Sequence, residues 1–113
     1  VTAESLAGFG LLLANGGVNP STGARLLQAE TVQVVKTIML TCGMYNGSGG
    51  FAVRVGIPSK SGVGGGILSV ADRKMGIGIF GPSLDQKGNS VAGEQVLEYL
   101  STHLRLHIFA GAG

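Results

Sequence analysis

Charge is scarce in this chain: Asp, Glu, Lys and Arg make up 12% of its 113 residues, roughly half the usual share. Hydrophobic residues reach 44%, so intrinsic disorder, which needs much charge and little apolar surface, is excluded. Cysteine is represented by Cys42 alone. That rules out a disulfide framework within the chain and points to a reducing, cytoplasmic compartment. No apolar run approaches the ~20 residues of a membrane span, so no membrane partner is expected. Trp is absent, and two Tyr and four Phe are the only aromatics. The eight Lys and Arg residues leave a net charge of +2 and are scattered. A nucleic-acid groove needs clustered bases interleaved with aromatics, so nucleic acid is not an expected partner. The start, Val1-Thr2-Ala3-Glu4-Ser5, has neither Met nor a positive charge. It does not read as a signal peptide, and the chain reads as a piece of something longer.

Glycine is abundant: 21 residues. They follow no Gly-X-Y period, which excludes a collagen helix. The length is that of one small domain with one core.

Thr2 predicts an N-cap, followed by apolar Leu6, Phe9, Gly10 and Leu13 at helical spacing and a stop at Asn15-Gly16-Gly17. A second helix is expected over Ala29 to Cys42, with Val34, Val35, Ile38, Met39 and Cys42 as its buried stripe and Gly43 ending it at C′. Phe51 to Val55 fits a strand or a short helix capped by Ser48, of which the helix is preferred. Beyond Gly56 the period changes to two. Strands are expected over Ile57 to Val63, Ile67 to Ala71 and Met75 to Phe80, the last two joined by the turn Asp72-Arg73-Lys74. On the third strand Gly76 and Gly78 share one face, which predicts a helix lying close against it. Ser90 or Asn89 caps a final helix buried through Val96, Leu97, Leu100 and Leu104. The tail Ala110 to Gly113 should fray. The expected class is α+β, an antiparallel sheet packed with helices.

Three motifs carry little chemistry. Gly76 to Gly81 spells G-x-G-x-x-G, but inside a strand rather than in a strand-to-helix turn. Gly62 to Gly66 lacks the Gly-Lys-Ser/Thr of a phosphate loop. His103 and His107 stand four apart on the last helix, with Leu104 where a zincin needs Glu and no third ligand evident. A metal site is not expected, and they read as a solvated face. Cys42 reads as a small core residue.

Lys60-Ser61-Gly62 on a strand is different. It matches the Lys-Thr/Ser-Gly element of active-serine amide hydrolases. The lysine supplies a positive field for a substrate carboxylate or a developing anion, and the hydroxyl offers a hydrogen bond. The glycine admits substrate to the strand backbone, whose N–H groups can face an oxyanion. Around it lie Thr41-Cys42-Gly43-Met44-Tyr45, Ser48-Gly49, Phe51-Ala52 and Val55 through Ile67. Upstream are Val1 to Ser5, Leu13 to Gly17 and Thr22 to Arg25; downstream are Pro82 to Asp85 and Gly88 to Val91. Together, in order, these closely resemble the serine-dependent glutaminase family across essentially the whole chain.

The resemblance implies a β-lactamase-like fold and hydrolysis of L-glutamine to glutamate and ammonia through a serine acyl-enzyme, without metal or cofactor. Tyr45 matches the family's catalytic, substrate-contacting tyrosine. Val63 matches its substrate-contacting valine, whose backbone N–H is expected in the oxyanion hole. Lys60, Ser61 and Gly62 form the supporting strand. No Ser-x-x-Lys exists here, because Gln33, Ile57, Ala71 and Leu84 stand three before the four lysines. Residues 1–113 therefore resemble the C-terminal part of a glutaminase domain. The partners expected are L-glutamine, the N-terminal portion of the same enzyme and further copies in a homo-oligomer. In the family the last strand pairs with the first, so Met75 to Phe80 should keep one open edge. The alternative is a non-catalytic module that docks on an intact subunit.

Overall fold

The computed structural model describes residues 2–62, 64–81, 84–85 and 89–111. Val63 and part of the Pro82 to Asp85 and Gly88 to Val91 matches lie outside the described residues, as does the end of the tail. The order is helix α1 (Ala3–Ala14), α2 (Ala29–Cys42), a 3-10 turn (Tyr45–Gly47), α3 (Ser48–Arg54), strands β1 (Ser59–Ser61), β2 (Gly66–Ala71) and β3 (Met75–Phe80), and α4 (Val91–Leu104). The strands form one antiparallel sheet in the order β1-β2-β3. Ser61 stands opposite Ile67, and Gly66 opposite Phe80.

Local chemistry explains the helix ends. Thr2 caps α1 by accepting from the Ser5 N–H, and the Ser5 hydroxyl accepts from Thr2 in return. Gly16 and Gly17 then take φ of 68° and 91°, which stops α1 where side chains would be strained. Ser90 caps α4 through the Gly93 N–H.

The glycine face of β3 meets α1 as its pattern predicts. A Cβ on Gly76 would lie 2.1 Å from the Leu11 nitrogen, and one on Gly78 would lie 2.1 Å from the Ala3 carbonyl oxygen. α1 thus lies on bare strand backbone. The opposite face carries Met75, Ile77 and Ile79 onto a core of Met44, Phe51, Val55, Ile57, Ile67, Ala71, Leu97 and Leu106. A second core joins Leu13 and Ala14 of α1 to Val32, Met39 and Val70. The sheet is therefore sandwiched, with α1 and α2 on one side and α3 and α4 on the other.

Several expectations need correction. The first strand is only Ser59–Ser61, because Ile57 turns down into the core and Gly56 adopts φ 64°. α2 is apolar on two faces. It buries Val32 and Met39 towards α1, while Val34 and Ile38 are 56% and 54% exposed and Val35 and Cys42 are also exposed. Val96 and Leu104, expected in the buried stripe of the last helix, are likewise exposed, since no described element covers them. Gly43 does end α2, but with an ordinary helical φ of −68°. It is needed for room: a Cβ there would lie 1.8 Å from the Ser59 carbonyl oxygen. α4 stops at Leu104, with Arg105 in the left-handed region at φ 55°. His107 is thus off the helix, and its ring turns to the Val53 carbonyl while His103 stacks on Tyr99. Among the described residues no three His, Cys, Asp or Glu side chains group as metal ligands. No described helix is long and apolar enough to cross a membrane.

Candidate active site

Two segments distant in sequence are brought together by the end of α2. The Gly43 carbonyl accepts from the Ser61 N–H at 2.9 Å, and the missing side chain at Gly43 lets β1 approach. The chain then turns sharply at Tyr45, whose φ of 55° is uncommon for a residue with a side chain. Ser48 clasps this turn: its Oγ accepts from the Met44 N–H at 2.9 Å and donates to the Tyr45 carbonyl at 2.8 Å. Behind it, Asn89 Nδ2 donates to the Met44 carbonyl at 2.8 Å.

The turn presents the Tyr45 ring, 41% exposed, beside β1. Lys60 Nζ lies 4.9 Å from the ring centroid, within cation–π range, and also donates to the Ser61 carbonyl. Lys60, Ser61 and Gly62 line a cleft of about 320 Å³ together with Leu6, Gly64 and Gly66. The Ser61 Oγ is buried and has no hydrogen-bond partner among the described residues. So Tyr45 and Lys60 are in contact and Lys60 to Gly62 edge one cleft, while Val63 lies outside the described residues.

Sequence reasoning missed Ser48 and Asn89 as supports of the tyrosine. Ser48 was legible only as a helix cap and Asn89 as an alternative cap to Ser90. Near the loop that carries Asn89, Glu94 is held above the usual carboxylate range. Burial is the main cause and the neighbouring Asp85 adds to it, while Arg54 pulls the other way.

A family model described as glutaminase matches residues 1–109. The chain belongs to the glutaminase family. It is 60% identical to the glutaminase of Clostridium tetani over 109 residues, covering 96% of the chain and 36% of that protein. The same figures hold for glutaminase 2 of Clostridium perfringens. The chain thus spans about a third of the length of these curated relatives. Among solved structures, a Bacillus glutaminase in 4.3 M NaCl superposes with a TM-score of 0.93 at 40% identity, over 96% of this chain and 38% of that one. A covalent complex of Bacillus subtilis glutaminase with 5-oxo-L-norleucine gives 0.94 at 40% identity, over 96% and 39%. The α+β sandwich is accordingly part of a β-lactamase-like glutaminase fold.

Proposed function

We propose that residues 1–113 are the C-terminal part of a glutaminase domain that hydrolyses L-glutamine to L-glutamate and ammonia. The observation that carries this is the Tyr45 turn, clasped by Ser48 and held against Lys60 of β1. In support, the related Bacillus subtilis glutaminase forms its covalent complex by reaction with 6-diazo-5-oxo-L-norleucine. That amino acid carries a reactive ketone where glutamine carries its side-chain amide.

The nucleophilic serine and its lysine belong to the portion that supplies Ser-x-x-Lys. The serine oxygen adds to the amide carbonyl carbon and its proton passes to the site's base. The C–N bond breaks as the nitrogen takes up a proton and leaves as ammonia. Water then cleaves the ester, releasing glutamate and restoring the serine. In this scheme Tyr45 moves or positions the proton, and the Val63 N–H binds the carbonyl oxygen as it becomes negative. Lys60 provides positive field, and Ser61 and Gly62 shape the strand.

In this scheme the remainder of the domain packs on the β3 edge that no described strand pairs and on the faces at Phe9, Val34 and Ile38 that no described element covers. The same surfaces suit docking on an intact subunit, and activity separates the two readings. Replacing the last third of the Clostridium tetani glutaminase by this chain should give an enzyme that releases ammonia from glutamine at a rate within about tenfold of that parent. A folded hybrid without turnover would contradict the proposal.

A further inference from the structure

We infer that Asn89 is a positioning residue for the glutaminase reaction, acting through the Tyr45 turn; this rests on the reading of Tyr45 given above. The residue is 1% exposed. Its Nδ2 donates to the carbonyl of the peptide that leads into Tyr45, at 2.8 Å. The orientation of that peptide sets φ at Tyr45, and φ there is 55°. The Gly47 N–H shares the Met44 carbonyl at 3.1 Å, and the Ser48 side chain holds the Met44 N–H and the Tyr45 carbonyl. Asn89 therefore completes a three-point clasp on a strained residue whose ring must meet Lys60.

Asn89 is itself fixed from behind. Its N–H donates to Asp85 Oδ1 at 3.0 Å, and its carbonyl accepts from the Asp85 N–H at 2.7 Å. The next residue, Ser90, is the buried cap of α4. The clasp is thus anchored to a helix on the far side of the sheet from α1. The Oδ1 of Asn89 is buried without a hydrogen-bond partner among the described residues.

The test uses the hybrid enzyme described above. Asn89→Asp keeps the size but, when ionised, turns a donor towards the Met44 carbonyl into an acceptor. At pH 8 kcat should fall by about 10- to 100-fold, the cost of a loosened reacting group, with KM within about threefold. As pH falls to 6, the buried acid takes up a proton and can donate again, so the ratio of variant to parent kcat should rise by about fivefold or more. Asn89→Ala should lose kcat at both pH values without that recovery. A variant Asn89→Asp with parental kcat, or one that raises only KM, would overturn the inference. So would a loss in Asn89→Asp as independent of pH as that of Asn89→Ala. If Asn89→Asp does not fold, folded Asn89→Ala decides, with parental kcat overturning the inference and a kcat-only loss supporting it. An inactive parent hybrid would instead overturn the reading of Tyr45, and this inference with it.

Discussion

Tyr45→Phe in the hybrid enzyme should cut turnover by about 10²- to 10⁴-fold, the range expected when a positioned proton-transfer group is lost. The substitution removes one oxygen and leaves the ring. The ring's contact with Lys60 and the Ser48 clasp on the backbone both survive it. The residue is 41% exposed, so the melting midpoint should stay within about 2 °C of the parent's. Steady-state kinetics beside a thermal melt read both quantities. Near-parental turnover would reduce Tyr45 to a packing residue and remove the support for the proposed chemistry.

Gly76→Ala should be the most damaging small substitution in the sheet. The new methyl would lie 2.1 Å from the Leu11 nitrogen and 2.2 Å from the Ala7 carbonyl oxygen, both backbone atoms of α1. Neither can rotate aside, so α1 must lift off β3. The expected cost is about 3 kcal/mol, and in the hybrid enzyme it lowers the melting midpoint by roughly 5–10 °C. Gly8→Ala, on the same helix, is the control. A Cβ there meets no atom of the described residues within 4 Å, so it should stabilise by about 0.5–1 kcal/mol. Equal midpoints for Gly76→Ala and the parent would show that α1 does not rest on β3.

That contact was legible because alternating glycines on a strand leave one face bare, and only a close neighbour explains a bare face. The strand of Met75 to Phe80, the helix of Ala29 to Cys42 and the start of α4 at its Ser90 cap follow from periodicity and caps in the same way. The direction in which α2 faces does not. Val32 and Met39 form one apolar row and Val34, Val35 and Ile38 another, and periodicity cannot say which meets the sheet. The end of α4 was missed because Arg105, not glycine, takes the left-handed position. In the site, Lys60 and Tyr45 were visible as motif residues, but their contact depends on the approach of Gly43 to Ser59. The Asn89 partner lies 45 positions away, beyond any local pattern.

The most direct measurement is ammonia release from L-glutamine by the purified 113-residue chain, alone and then combined with the N-terminal two thirds of the Clostridium tetani glutaminase. Alone, it should release no more than a heat-killed control, since the chain has no Ser-x-x-Lys to form an acyl-enzyme. Combined, the two parts should turn over glutamine, and Tyr45→Phe should abolish most of that gain. Turnover by the chain alone would contradict the division of the site proposed here, as would a folded, associated pair that releases no ammonia.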